Sequence, residues 1–572
     1  PGNAGVFHRI DRKMDNASAS ATNNIPSFVK RWGRVSLIYI VLAAYFWSFC
    51  KYGLNIWDEG GYANGTLRTL NGERALVDFN PNGYLPGRYW YGMLFFKLFG
   101  VEIQSLRIGV LLFTPPMVIM IYSMGRKIMP AGFALLAALF MLSAPSMYYN
   151  RFYTFFVVLN LYFLINVLEK RNLASLFGLG TAIFLSAFFK FEVTLFSILV
   201  SLGALALLFT VKHWRIDFHF LPRKVAPYSA SAKSTKFHFL VAGVSAVAIL
   251  FAIYLGKDGY FTKVFKLVVD AHEVWGNPFP KILPFFALLQ EVGYHQMFER
   301  VMFYLPPFTY GVVAVLLFYQ LVIKKESFHL AHLMVIAILL FGVCAFGLVI
   351  WRAGFDNLLR TLPPFYLLLC YLLYGIREKV LSFHKPVEQK GAGVFIRLPL
   401  NLLTVFLPFL FYFEMNTHHG FYAGSIGAMK LETTRLSLEK MDVYTNPGEA
   451  KWIKEVIDKI NLHSQKGDAI LALPLNPIFY FLSDRVNPTP YEWILPGMLE
   501  EKKERELAEL LKYRLPKIVI YVDIAIDGKE ERRLSSYSPH LYKFLIEHYS
   551  FQGMVGFFQI LLPKNPSLPL NF

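Results

Sequence analysis

The stretch "VSLIYIVLAAYFWSFCKYGLNIWDEGGYANG", residues 35–65, decides how the rest of the chain is read. Residues 35–50 carry no charge, and an apolar run of this kind satisfies its backbone in lipid only as a helix. Asp58 and Glu59 then stand side by side a short way beyond it. Charge placed at the edge of hydrocarbon is costly and marks a functional site by default.

Working outward, ten more runs resemble the first, near 105–123, 131–147, 153–168, 173–189, 193–211, 237–255, 303–323, 330–350, 359–375 and 397–413. Each approaches the roughly 20 apolar residues that cross a bilayer. The 572 residues are 55% hydrophobic and 17% aromatic, with a mean hydropathy of +0.41. The fold class expected is an α-helical polytopic membrane protein of about eleven transmembrane helices, followed by a C-terminal soluble α/β domain.

Basic residues orient the spans. Lys30, Arg31 and Arg34 precede the first, and Arg126–Lys127, Lys170–Arg171, the 212–236 stretch, Lys324–Lys325 and the 377–390 stretch fall in alternate short loops. With eleven spans these lie on one side, the cytoplasmic one. Much of the net charge of +18 is thereby topological, and nucleic-acid binding is set aside. The expected layout is a cytoplasmic segment 1–34, a transmembrane region 35–413 with outer loops 51–104 and 256–300, and an extracytoplasmic α/β domain 414–572, in a cell inner membrane. No cleavable signal is visible, so the first span reads as an anchor; "PGNAGVFHRIDRK" before Met14 reads as an added or a natural leader. Cys50, Cys344 and Cys370 lie in or beside spans and form no disulfide framework or zinc motif.

On the outer side, "GYANGTLRTLNG" predicts an amphipathic helix on the membrane surface, and "YLPGRYWYGMLFFKLFG" a second interfacial helix after Pro86. Residues 222–236 read as a polar cytoplasmic linker. In the tail, "EAKWIKEVIDKI" places Trp452, Ile453, Val456, Ile457 and Ile460 on one helical face. "DAILALPL", "KIVIYVDI" and "GFFQILL" read as strands, alternating with helices at "KKERELAELLKYRL" and "HLYKFLIEHY" and a short helix or turn at "PIFYFLSDR". This alternation predicts a mostly parallel sheet. No Gly-rich phosphate loop follows a strand, which excludes the usual nucleotide binders.

The ionisable residues at the outer ends of the spans include Asp58, Glu59, Asp78, Arg88, Arg107, Arg151, Lys190, Glu192, His272, His295, Arg352, Asp356 and Arg360. Arg151 in "YYNRFYTFF", Lys190 with Glu192 in "FFKFEVTLF" and Arg360 in "NLLRTLPPF" interrupt apolar sequence; the bland account of each is snorkelling or ion pairing. Carboxylates facing cations at a membrane surface suit transfer from a lipid phosphate donor. A carboxylate takes the proton of the attacking hydroxyl, and Arg and Lys stabilise the phosphate that leaves. Adjacent residues on a helix point about 100° apart, so one of the pair can face substrate while the other holds the loop or caps the helix. Asp58, Glu59, His272 and His295 match no metal-ligand spacing, so no cofactor or metal is assigned.

"WDEGGYANG" after the first span resembles the acidic motif of the GT-C class of polyprenyl-phosphate-sugar-dependent glycosyltransferases, the class of the protein O-mannosyltransferases and aminoarabinose lipid A transferases. "YLPGRYWYGMLFFKLFG" with "SLRIGVLLF", "NRFYTFFVVLNLYFL" and "FDNLLRTLPPFYLLLCYLLYG" resemble its later segments, and "EAKWIKEVI…GDAILALPLNPIFYFLSDRVNPTPY" its bacterial soluble domain. The resemblance implies a transferase taking sugar from a polyprenyl-phosphate donor to an acceptor, a lipid, glycan or protein, on the outer face. It implies Asp58 as base with Glu59 beside it, and Arg88, Arg151, Lys190 and Arg360 near the lipid phosphate. Asp78, Glu192, His272 and Arg352 are accessory candidates. One departure stands out: where many members have a carboxylate just after the arginine, this chain reads Arg151-Phe-Tyr-Thr. A non-catalytic scaffold of the same class, and a lipid-linked sugar transporter, are the alternatives. Against the transporter, the charges gather at one face and no internal repeat is visible.

Overall fold

The computed structural model describes residues 27–81, 84–143, 151–213, 294–351, 354–388, 406, 409–417 and 425–564. The predicted span 237–255, the linker 222–236 and most of the span 397–413 fall outside these, as do His272 and Arg352. The other nine predicted spans are helical over their described residues, which in the span 131–147 end at Ser143.

Among the described residues five helices are long and apolar enough to cross a membrane: Ile103–Ile128, Arg151–Lys170, Phe191–Leu208, Met297–Ile323 and Leu330–Ile350. Phe355–Thr361 and Pro363–Val380 make a sixth span broken by a 64° bend. Pro363 and Pro364 supply no backbone N–H to continue the helix ladder, and the break falls there. Val35–Phe49, Ala131–Ser143 and Leu173–Phe189 are apolar but shorter. The chain is thus a multi-pass membrane protein, with fewer full-length spans among the described residues than the eleven expected. A shared core threads the bundle, with Phe140, Tyr153, Val157, Phe341, Phe365 and Leu367 among its buried side chains.

The two outer helices form where expected; Pro86–Phe99 leaves Trp90, Leu94, Leu98 and Phe99 exposed on one face, whereas Asp58–Leu70 does not lie free on a surface. Pro86 opens the helix Pro86–Phe99, a position where its fixed φ helps and its missing N–H costs nothing. The helix Asp58–Leu70 is buried continuously from Glu59 to Thr66. Its glycines explain how neighbours come so close. A Cβ added at Gly60 would lie 2.7 Å from Ile478 Cβ, at Gly61 2.4 Å from Trp493 Cζ2, and at Gly65 2.4 Å from Tyr89 Cε1. The helix is therefore clamped between the Pro86–Phe99 helix and the C-terminal region, and the surface-helix expectation fails because the glycines make a flat contact face rather than a polar one.

In the C-terminal region the strands β1 (Thr434–Leu438) and β2 (Met441–Thr445) form an antiparallel hairpin that the sequence reading missed. The strands β3 (Leu471–Leu473), β4 (Val519–Tyr521), β5 (Tyr549–Val555) and β6 (Phe558–Pro563) form a sheet in the order β3-β4-β6-β5. Here β3 and β4 are parallel, but β6 runs antiparallel to both β4 and β5. The mostly parallel expectation is corrected: β5, unread in the sequence, returns to β6 through Gly556 at φ 59°, a tight turn in place of a crossover helix. The helix Pro447–His463 buries Ile453, Val456, Ile457 and Ile460, as its periodicity predicts.

One hydrophobic core joins this region to the first outer loop. Ile56, Tyr62, Phe79, Tyr89 and Phe96 pack with Val443, Ile453, Ile478, Phe481 and Ile520. Polar ties reinforce it: the Tyr444 N–H donates to the Lys51 carbonyl, Gly53 N–H to the Tyr444 carbonyl and Ile103 N–H to the Lys440 carbonyl.

Candidate active site

The two adjacent carboxylates have opposite surroundings. Glu59 is sealed, with Arg107 Nε and Nη2 donating to its two oxygens at 2.6 and 2.7 Å. The same guanidinium donates to the carbonyls of Cys50 and Gly53 at 3.0 and 2.9 Å. A bidentate, fully bonded pair of this kind fixes geometry; it pins the chain between the first span and the helix that follows.

Asp58 is half-buried. Its oxygens accept from the Tyr84 hydroxyl and the Asn55 amide, each at 3.2 Å. The Asn55 side-chain oxygen in turn accepts the N–H groups of Trp57 and Asp58 at 3.1 and 2.9 Å. Asn55 thus does the capping that the sequence left open for Asp58, and Asp58 keeps its carboxylate for other use.

Tyr84 is the hinge of the site. Arg88 Cζ lies 3.8 Å from its ring centroid and Lys190 Nζ 4.9 Å. Arg88 is 2% exposed and also lies 4.4 Å over Tyr62 and 5.3 Å over Tyr89. Among the described residues its Nε and Nη2 have no hydrogen-bond partner, and neither does the buried Tyr62 hydroxyl. Aromatic faces stabilise a guanidinium by a kilocalorie or two, but they do not bond its N–H groups, and a buried charge without a counter-ion is expensive. Arg88 is therefore a buried cation stacked on aromatic rings with unused donors.

Lys190 is the single extended residue between the helices Leu173–Phe189 and Phe191–His213. Its ammonium is largely buried and lies 3.8 Å from Glu192. Burial pushes it down to about 8; Glu192 and Asp58 oppose the shift, and the charges of Arg360 and Arg88 add to it. Five charged groups predicted from sequence therefore act on one another here. Arg360, at the bend before Pro363, pairs with Asp356 at 2.7 Å and accepts from the Thr154 hydroxyl on its backbone carbonyl at 3.1 Å.

The remaining candidates lie apart from this group. Arg151 is buried, donates to Thr114 Oγ1 at 2.6 Å and lies 5.3 Å from the Phe46 ring, among the early spans. Asp78 is exposed and bonds Arg74 across one short turn. Among the described residues no group of three or more His, Cys, Asp and Glu side chains is arranged to hold a metal.

The sequence reading expects the α/β tail to cover the cavity or help select the acceptor, but names no residue that does so. Glu492, 2% exposed, accepts from Asn64 at 2.8 Å and Arg68 at 3.1 Å, and so ties the helix that starts at Asp58. Trp493 lies edge-on to Tyr84, ring centroids 5.9 Å apart. No local signal marks either residue, because the contacts cross more than 400 residues. Tyr84 was within reach, as the aromatic just before the Pro-Gly-Arg turn.

Residues 81–221 match the family model described as dolichyl-phosphate-mannose-protein mannosyltransferase. Among curated proteins, none matches in sequence. The fold is similar to that of ArnT from Cupriavidus metallidurans bound to undecaprenyl phosphate, at TM-score 0.52 and 13% identity over 92% of this chain and 98% of that one. The apo form of the same protein matches at TM-score 0.51 and 12% identity, over 93% and 98%. A looser likeness, at TM-score 0.48, is to the apo oligosaccharyltransferase of Archaeoglobus fulgidus, at 14% identity over 95% of this chain and 76% of that one. What these likenesses share with the chain is the fold, over nearly the whole length of both chains in the case of ArnT.

Proposed function

We propose that this protein transfers a sugar from a polyprenyl-phosphate donor to an acceptor at the outer face of the membrane. The observation that carries the reading is Arg88: a buried cation with two unbonded nitrogens, one aromatic ring away from a half-buried carboxylate. The family match over residues 81–221 spans Arg88, Arg151 and Lys190, and a protein of the same fold binds undecaprenyl phosphate.

In this reading the donor phosphate sits on Arg88 and Lys190, with Arg360 adding positive potential. Asp58, oriented by Tyr84 and Asn55, takes the proton from the acceptor nucleophile as it attacks the anomeric carbon. The bond from that carbon to the phosphate oxygen breaks, and the cations stabilise the charge that gathers on the phosphate. Glu59 takes no part in proton transfer; it holds the loop through Arg107. The donor tail lies among the spans, and no metal is assigned.

The test is transfer of labelled sugar from a panel of polyprenyl-phosphate sugars in membranes. Asp58→Asn, at equal expression, is expected to lower transfer by about 10²–10⁴-fold. Transfer that persists at the wild-type rate removes Asp58 from the role of base.

A further inference from the structure

We infer that Trp493, supplied by the C-terminal region, donates its indole N–H to an oxygen of the sugar carried by the donor, and so helps set which sugar is accepted. This rests on the transferase reading above.

Trp493 is 7% exposed, and among the described residues its Nε1 has no hydrogen-bond partner. Packing accounts for the ring. It sits with Leu495 and Ile526 against Tyr84, Leu475 and Met498, and its six-membered edge covers Gly61. Leu495, Ile526, Leu475 and Met498 ask only for an apolar ring at this place. Packing does not account for the N–H, since leaving a buried donor unbonded costs about 1–3 kcal/mol. Buried indole N–H groups normally find an acceptor.

The position of the indole says where its acceptor comes from. Tyr84 touches Asp58 through its hydroxyl, Arg88 through its face and Trp493 through an edge-to-face contact. The indole and the phosphate-binding guanidinium therefore flank one aromatic ring, with the carboxylate at its tip. The group that lies between a phosphate and the base attacking beside it is the glycosyl residue, a ring rich in hydroxyl acceptors. Gly61 is what lets the indole in, because a side chain there would occupy the space of Cζ2. The C-terminal region is in this way a wall of the donor site as well as a cover for it.

The experiment compares binding of undecaprenyl phosphate with binding of its mannosyl, glucosyl and galactosyl derivatives, using the purified full chain and Trp493→Phe. The phenylalanine keeps an aromatic ring but deletes the N–H together with the edge over Gly61, so the bare-carrier arm is needed to separate lost packing from the lost hydrogen bond. Wild type is expected to bind at least one glycosylated carrier more tightly than the bare one. In the variant that carrier weakens by about two- to twelve-fold, the range of one net hydrogen bond, while bare undecaprenyl phosphate binds unchanged. The unchanged arm also reports that the variant is folded. Equal affinities of variant and wild type for every glycosylated carrier overturn the inference and leave the transferase reading intact. A parallel loss for bare and glycosylated carriers also overturns it, since the indole then acts on the phosphate or the fold. Failure of wild type to bind any carrier overturns the transferase reading itself.

Discussion

Arg107 and Arg88 are both buried arginines near the same acidic loop, and they are furnished in opposite ways. Arg107 meets a carboxylate and two carbonyls, and its donors are used. Arg88 meets three aromatic rings and keeps two nitrogens unbonded. A guanidinium whose partners come from the protein is part of the scaffold. One stacked on rings with donors unused is the group that the proposed function assigns to the donor phosphate. The same contrast separates Glu59, committed to the loop through Arg107, from Asp58, which the proposed function makes the base.

The contrast predicts effects of opposite sign. Arg107→Met leaves Glu59 buried without a counter-ion and is expected to cost about 3–5 kcal/mol of stability, read as a large fall in the Tm of the purified protein. Adding Glu59→Gln to Arg107→Met recovers part of that loss. If Arg107→Met leaves the Tm unchanged, the pair is not the clamp described. Arg88→Met removes an uncompensated buried charge, so the Tm holds or rises while affinity for undecaprenyl phosphate falls by about ten- to a hundred-fold, the range of hydrogen bonds to a charged group. A fall in Tm with unchanged affinity reverses the assignment of the two arginines.

The smallest effect concerns Lys190. Its free-state ammonium titrates at about 8, lowered by burial. The charge is present below that pH and lost above it. Affinity for undecaprenyl phosphate is therefore expected to decline as pH rises through about 8, by a few-fold. Lys190→Arg, charged throughout, is expected to flatten that limb. A limb that survives in the arginine variant assigns the titration elsewhere.

The sequence made the membrane class, the outer-face charges and the acidic motif legible, because each is local. Asp58, Lys190 and Arg360 announce themselves by interrupting or abutting apolar runs, where charge needs a reason; the part given to Arg88 comes from the family resemblance. What it hid is tertiary. Arg107 stood among the ionisable residues with no hint that it would claim Glu59. Arg151 looked like Lys190 in sequence but turns to Thr114. The β1–β2 hairpin and the antiparallel return of β5 depend on pairing that short, weakly patterned strands do not advertise. Trp493 and Glu492 reach the site from the far end of the chain.

That last point has a consequence in time. The helix Asp58–Leu70 meets its partners Ile478, Glu492 and Trp493 through contacts that span 428 residues in the case of Asn64 and Glu492. At about 5–20 residues per second of synthesis, roughly 20–90 s separate the appearance of the two halves. Throughout that interval the acidic loop has crossed to its side of the membrane with its flat glycine face uncovered. Until residues 478–493 have been made and have packed against this helix, the proposed site lacks the wall they supply.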